Sequence, residues 1–551
     1  MSTANITKVY LLDVPLEKDY KNTLYFANAT AQYNYFYSKK VKSYTDFTYQ
    51  RKDNIIRIPD VYDNIYTCNY VMYQNTNYGN KWFYCFIDKM EYINDGRTDI
   101  HISTDVIQTW LFNYTIKPSF VEREHVNDDT IGLHTIPENV DTGEYILSGT
   151  ALLYAPASGT NVCIMTTDLP DQVKATTGYS YYKYGGILSG CYMLIPKPSS
   201  TFNADVTVFC NLMSALDKAN AIIGIFVVPN NLIPSGITYN DFSITEQNKI
   251  YNFSMGILPS SISATELSSS TSLTPPTTID GYTPHNNKLK CWPYSYFYIT
   301  NNVGSDIEFH YEDFVNNTAT FKTVATITPG CSIRTIPLNY KKLTDSGSTD
   351  YCYNYGIPVG KYPICSWRSD LYLGWLKENT YNLGLTIGGG VASIGGGVAL
   401  LVAGAFTGAG AVGGIGMIAG GVGAISSAMV QKYQHRLTPE QGNGNTNTND
   451  VTFSAGKIET KAHKMTIRSE YAQIIDQYFD MFGYKVNTVK TPNSNHRSQW
   501  WYTKTIDVNI DGNIPDEDIQ KIKDCYNNGI TFWKNASNIG NYSLSNAIVT
   551  P

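Results

Sequence analysis

Short runs of alternating or wholly apolar positions dominate both ends of the chain and predict strands. Val9-Tyr10-Leu11-Leu12-Asp13-Val14-Pro15 reads as an apolar strand ended by proline. Residues 49–58 alternate in part. Asn69-Tyr70-Val71-Met72-Tyr73 and Lys81-Trp82-Phe83-Tyr84-Cys85-Phe86-Ile87 flank Asn77-Tyr78-Gly79-Asn80, a hairpin signal. Asn94-Asp95-Gly96 turns the chain into Thr98-Asp99-Ile100-His101-Ile102, and Ser103-Thr104-Asp105 caps a short helix over 106–110. Further on, Val206, Phe209, Leu212, Met213 and Leu216 recur at helical spacing, predicting a helix over 205–221 with a core-facing stripe. The Ser/Thr-rich run 260–278 reads as an exposed loop. A second helix is predicted over 469–482, with Tyr471, Ile474, Ile475, Tyr478 and Phe479 on one face. Strands follow at 484–486 and 500–508.

One stretch breaks this pattern. Between Glu378 and Lys432 there is no charged residue, and a run beyond about 18 apolar residues is long enough for a membrane-spanning helix. Two spans, 383–406 and 412–430, are joined at Thr407-Gly408-Ala409-Gly410. The apolar positions are Leu383, Leu385, Ile387, Val391, Ile394, Val398, Leu400, Leu401, Val402, Phe406, Val412, Ile415, Met417, Ile418, Val422 and Ile425. Small residues recur four apart: Gly384 with Gly388, Gly404 with Gly408, Gly410 with Gly414, and Gly416 with Gly420. That spacing lets helices approach closely in lipid. Glycine costs a helix up to about 1 kcal/mol relative to alanine in water, so these helices are weak in solution. The reading is a membrane-inserting loop hidden until needed; the alternative is a Gly/Ala-rich helical hairpin buried in the protein. Gln441-Gly442-Asn443-Gly444-Asn445-Thr446-Asn447-Thr448-Asn449-Asp450 then reads as a flexible linker.

Composition supports several modules rather than one. The chain has 551 residues with 44 Tyr, 21 Phe and 8 Trp, and only 16% charged residues, a profile suited to pleated, half-buried surfaces. The fold class expected is β-rich α+β. The boundaries expected are a first module 1–145, a β-rich middle 146–375, an apolar loop 376–436, a linker 437–465 and a C-terminal module 466–551. A net charge of −6 argues against tight DNA binding by a basic face. The N-terminus lacks the charged and apolar regions of a signal peptide, so synthesis and folding in a cytoplasm are expected. Ten cysteines lie singly without C-x-x-C spacing, which suggests neither zinc nor a disulfide framework.

The C-terminal region echoes the first. Lys81-Trp82-Phe83-Tyr84 has a counterpart in Gln499-Trp500-Trp501-Tyr502. Thr98 to Ile102 with Asp105-Val106-Ile107-Gln108 has one in Ile506-Asp507-Val508-Asn509-Ile510 with Asp518-Ile519-Gln520. A degenerate repeat and shared composition both account for this.

Several of these segments together resemble the distal tail-tube (tail knob) proteins of short-tailed phages of Gram-positive bacteria. The resemblance rests on Asn69-Tyr70-Val71-Met72-Tyr73, Asn80-Lys81-Trp82-Phe83-Tyr84 and Asp105-Val106-Ile107-Gln108-Thr109-Trp110. It continues in Asp476-Gln477-Tyr478-Phe479-Asp480-Met481-Phe482-Gly483-Tyr484, Arg497-Ser498-Gln499-Trp500-Trp501-Tyr502 and Asn528-Gly529-Ile530-Thr531-Phe532-Trp533. It covers both ends and the apolar insertion, and residues 150–370 only by general character. It implies a multidomain tail-tube protein of the virion whose β-rich tube-wall modules assemble as a hexameric ring with other tail proteins. It further implies a lumen for genomic DNA, plugged by apolar loops that later form a pore in the host cytoplasmic membrane. A tail-tip adsorption or receptor-binding module, with the apolar stretch used for assembly, is the competing reading.

No residue set stands out for catalysis, a metal or a cofactor. Asp507-Val508-Asn509-Ile510-Asp511-Gly512 resembles the start of an EF-hand loop, but the twelfth position is Asp518 and no long helix precedes it; a strand, an Asp-Gly turn and an acidic helix start at Asp516-Glu517-Asp518 explain it better. His435 and His463 bracket the linker, so their protonation would bias loop release at mildly acid pH unless they are spectators. There is no G-x-S-x-G elbow, and Gly356-Ile357-Pro358-Val359-Gly360-Lys361 is too short for a phosphate loop. No enzyme is expected.

Overall fold

The computed structural model describes residues 7–47, 54–76, 79–155, 160–176, 181, 183–184, 187–188, 190–198, 202–216, 218, 221–258, 261–262, 265–267, 271–327, 332–341, 351–359, 367–368, 442–443 and 459–550. They fall into two compact units. The first gathers Met1–Glu144, Thr277–Tyr294 and Ile467–Pro551; the second gathers Tyr145–Pro276 and Ser295–Thr466.

The first unit is organised by a six-stranded antiparallel sheet. Its order is Lys40–Phe47, Thr7–Leu12, Tyr70–Asn75, Trp82–Asn94, Arg97–Thr104, Ile55–Ile58. The sheet curls enough for its two edge strands to approach, and the Tyr44 hydroxyl of one donates to Asp60 just beyond the other (2.9 Å). Alternate residues of a strand face opposite sides, and here both sides are covered. Val9, Leu11, Val71, Tyr73, Phe83 and Cys85 pack with Trp501, Ile522 and Phe532. Tyr10, Leu12, Tyr70, Met72 and Tyr84 pack with Phe36, Trp500 and Trp533. That is why the first strand reads as an unbroken apolar run.

A second sheet in this unit interleaves the two ends of the chain in the order Asn22–Leu24, Ile530–Trp533, Trp500–Ile506, Ser119–Glu124, Tyr484–Lys490. Ser119–Glu124 lies between two C-terminal strands and pairs antiparallel with both. The sequence echo persists as element order, strand, strand, helix, but not as pairing. Trp82–Asn94 pairs with Arg97–Thr104, whereas Ile510–Gly512 pairs with Tyr114–Ile116.

The helix Val106–Trp110 starts where expected, with the Asp105 side chain accepting from the Gln108 N–H. The helix Ala29–Ser38 was not legible in its Tyr-rich sequence. Its signal is Asn28, whose side chain accepts from the Ala31 N–H at 2.9 Å.

In the second unit, a five-stranded sheet runs Ile222–Pro229, Thr160–Thr166, Tyr192–Pro196, Lys249–Ile257, Tyr239–Glu246. The helix Phe202–Ala215 packs in the same core, burying Val206, Phe209, Leu212 and Met213. It ends earlier than the predicted 221, because the β-branched run Ile222–Pro229 continues the sheet and a turn must intervene. A four-stranded sheet follows the order Tyr145–Tyr154, Thr460–Ile467, Ser295–Thr300, Asp306–Phe309. A third sheet holds Ala319–Thr326, Ser332–Leu338 and Ile357–Pro358, with Thr265–Glu266 and Thr271–Leu273 along its edge. The run expected to be an exposed loop therefore contributes strands, and Leu273 is buried because it lies opposite Ala319.

Candidate functional site

Every position of the predicted membrane loop, from Leu383 to Ile425, lies outside the described residues. The same holds for its glycines Gly384, Gly388, Gly404, Gly408, Gly410, Gly414, Gly416 and Gly420, for His435 and for most of the linker. The described residues do define where that segment leaves and rejoins the second unit. The chain leaves through Ile357–Pro358, which pairs with Ser332–Leu338 so that Ile357 faces Thr335. It returns as Thr460–Ile467, whose Lys461 pairs with Thr300.

The two points are stitched together. The Thr335 hydroxyl donates to the Thr460 hydroxyl at 3.2 Å, both buried, and Thr323 and Thr335 hydroxyls share a further bond at 3.0 Å. Asn301 Nδ2 donates to the Pro358 carbonyl at 2.7 Å. Farther along, Trp367–Arg368 pairs antiparallel with Gly442–Asn443. The described chain on either side of 369–441 thus meets in a hydrogen-bonded stem, although Ile357–Pro358 and Thr460–Ile467 belong to different sheets.

This stem corrects one boundary. Residues 460–465, assigned to the linker, form the start of Thr460–Ile467, where Thr460 and Ala462 alternate inward. His463 is accordingly a strand residue, with Nδ1 3.1 Å from the Thr150 hydroxyl and its ring beside Tyr298.

A second concentration of polar groups ties together the three chain segments of the first unit. The helix Ser469–Phe482 has the predicted bounds but a different buried face, formed by Ala472, Ile475, Asp476 and Phe479. Ile474 is 65% exposed. The i, i+3, i+4, i+7 stripe includes a carboxylate, so an apolar-only reading turned the helix by one position.

Asp476 is fully buried and accepts from the Tyr282 hydroxyl (2.7 Å), the backbone N–H of His285 (2.7 Å) and Asn286 (3.1 Å), and Asn286 Nδ2 (2.8 Å). Glu138, with no exposed side-chain surface, pairs with both Arg123 and Lys288 and accepts from the Lys485 N–H at 3.0 Å. Burial holds the Lys288 ammonium below its usual range, with Glu138 acting against that. Glu124, also without exposed side-chain surface, takes Lys490 Nζ at 2.6 Å and the Asn493 N–H at 2.7 Å. His125, buried between Arg497 and the Asp480 carbonyl, is pushed down to about 3, chiefly by burial, and is neutral at physiological pH. Gly483 follows the helix at φ 63°, and any Cβ there would run into the Glu124 carbonyl, so the helix-to-strand turn requires glycine.

Such carboxylates are invisible to sequence patterns because, Arg123 beside Glu138 apart, their partners lie 150 to 369 residues away. The EF-hand-like residues have other partners as well. Asp518 Oδ2 accepts from Trp110 Nε1 at 2.9 Å, and Asp511 sits inside a strand beside Lys117. Among the described residues no cluster of three or more His, Cys, Asp or Glu is arranged to hold a metal. Among them, too, no helix is long and apolar enough to cross a membrane.

Comparison with known proteins identifies this architecture. The family model for the C-terminal domain of the tail knob protein gp9 of Bacillus phage phi29 matches residues 261–547, which include the stem and the apolar segment. The chain belongs to the phi29 gp9 tail knob family. The model for the N-terminus of caudoviral major tail proteins matches residues 5–115, the region of the curled sheet. The chain is 28% identical to tail knob protein gp9 of Bacillus phage PZA over 98% of each chain. It is 26% identical to gp9 of phage B103 over 97% of each chain, and to gp9 of phi29 over 98% of each. The solved structure of the bacteriophage C1 tail knob protein, gp12, shares the fold with a TM-score of 0.62. It does so at 12% identity, covering 98% of this chain and 100% of that one. The chain is therefore a structural tail knob protein of the virion, at the distal tail, and not an enzyme. Tail knob proteins are oligomeric components that interact with other tail proteins.

Proposed function

We propose that this tail knob protein forms a hexameric distal tail tube that conducts the genomic DNA, and that its apolar segments plug the lumen before infection. On release they insert into the host cytoplasmic membrane and form the pore through which the genome passes. Residues 1–145 and 466–551 supply the tube wall in this reading, 146–375 the knob and 376–436 the membrane-active loop. The observation that carries it is the uncharged run between Glu378 and Lys432 in a family of tail proteins. The closed stem at Ile357–Pro358 and Thr460 supports it, since a hairpin presented from a fixed base can change surroundings without disturbing its scaffold. Six glycine-rich hairpins at one mouth, paired through positions such as Gly388 and Gly414, would satisfy one another inside the tube and again in lipid.

The test is dye release from liposomes by the full-length protein from pH 7 to about pH 5, beside a variant lacking 383–430. Leakage that depends on the segment is expected. Particles carrying the deletion should assemble and adsorb but fail to deliver DNA. Normal infection by such particles would refute the pore, and absence of leakage at every pH would leave the segment a role in assembly alone.

A further inference from the structure

We propose that Phe120, Val489 and Ile506 form the apolar centre of the surface through which one copy of this chain docks on the next. This face would close the ring put forward above, on which the assignment rests. Exposed apolar side chains scattered singly are ordinary on a folded protein. These three are not scattered. Val489 lies directly opposite Phe120 on one neighbouring strand, and Ile506 lies directly opposite it on the other. Directly opposed residues share a face of a sheet, so the three make one row across three adjacent strands. With strands about 4.8 Å apart, the row spans about 10 Å. Phe120, Val489 and Ile506 are 37%, 67% and 54% exposed. Val121 and Thr505, next to them in the chain, point the other way and are buried, which fixes the row outward. Among the described residues, no other three exposed large apolar side chains stand opposite one another on neighbouring strands.

The charges beside the row are already paired within the chain. Glu122 and Lys504 meet at 2.9 Å. Lys490, next to Val489, donates to Glu124 at 2.6 Å and to Asn493 at 3.0 Å. An apolar centre with a satisfied polar rim is the usual anatomy of a protein interface. The row also ends on an open strand. Tyr484–Lys490 is outermost in its sheet, and Asn487, Thr488 and Val489 are exposed along it. Proteins commonly guard such an edge with lysine, because its free N–H and C=O groups invite another strand; here Lys490 is turned to Glu124 instead. The opposite edge of the same sheet is closed, since the Leu24 carbonyl accepts from Gln108 Nε2 at 2.8 Å.

The occupant follows from the family. Tail knob proteins are oligomeric, so each copy covers part of its neighbour. A stable interface buries about 800 Å² per partner around an apolar core, and this row supplies such a core. A ring of more than two copies is built from unlike surfaces, so the row meets a different face of the next copy rather than itself.

The experiment is mass photometry of the full-length protein across a dilution series, beside the double variant Val489→Glu, Ile506→Glu. Both side chains are exposed, so the unfolding midpoint of the monomer should not move. The dissociation midpoint should rise by about a hundredfold or more. A second variant, Val489→Cys, reports burial directly through maleimide labelling read by peptide mapping, against a background of described cysteines that are all buried. Labelling should be fast in the monomer and protected in the oligomer. A double variant that assembles like the wild type would overturn the assignment. So would equal labelling in both states, which would give the row to another tail protein, or protection in the monomer, which would give it to the chain itself. A wild type that stays monomeric at every concentration would overturn the ring, and the docking face with it.

Discussion

Replacing Glu138 by glutamine removes one charge and almost no volume from the most buried ion cluster described in the protein. In the wild type, one carboxylate without exposed surface serves two cations whose side chains are 9% and 3% exposed, Arg123 and Lys288. Arg123 also donates to the Gly483 carbonyl at 2.7 Å and lies over the Tyr478 ring, so it cannot swing into water without breaking the turn at Gly483. Glutamine would leave two buried cations facing a neutral amide. Breaking a buried pair from one side costs about 3–5 kcal/mol, because the remaining charge is uncompensated. For a unit of roughly 250 residues, each kcal/mol moves the midpoint by about 2–4 °C, so a drop of about 6–20 °C is expected. Calorimetry that resolves the two units should show the loss in the first and leave the second in place. Lys288, already held low by burial, would shed its proton more readily in the variant, so the deficit should shrink at high pH. The triple replacement Arg123→Met, Glu138→Leu, Lys288→Met should recover much of the stability, since well-packed apolar residues often match a buried ion cluster. A Glu138→Gln protein within about 1 kcal/mol of wild type, or a triple variant no better than the single, would refute the reasoning.

Two further outcomes follow from buried polar groups elsewhere. Thr335→Val should leave the Thr323 and Thr460 hydroxyls without their shared partner and cost about 1–3 kcal/mol for each group stranded. The stem should open first, seen as faster amide exchange in Thr460–Ile467; unchanged protection there would contradict the stem's role. Asp105, 1% exposed and bonded by the Tyr70 hydroxyl at 2.8 Å, has its carboxyl pushed up to about 6 by burial. Between the unfolded value near 4 and this folded value the native state binds the extra proton, so this contribution to stability is full below about pH 4 and falls as pH rises to 6. Asp105→Asn should flatten the profile in that window by up to about 3 kcal/mol in urea melts, and parallel profiles for the two proteins would exclude the effect.

Local chemistry wrote much of the fold into the chain. The cap at Asp105, the bounds of Ser469–Phe482 and the stripe at Val206, Phe209, Leu212 and Met213 depend on neighbours within a few residues. Such signals survive in a single sequence. The motifs around Trp82, Trp500 and Gly483 also carried the family resemblance. The uncharged run needed no structure to be seen, since its length alone sets it apart.

Tertiary structure decided what joins what. It put Ser119–Glu124 between two C-terminal strands and turned the 469–482 helix so that Asp476, not Ile474, faces inward. It also brought Thr335 to Thr460. A buried carboxylate or guanidinium is stable only when donors or acceptors from distant segments converge on it. No periodicity in one segment encodes that convergence, so these sites exist only once the chain has closed on itself.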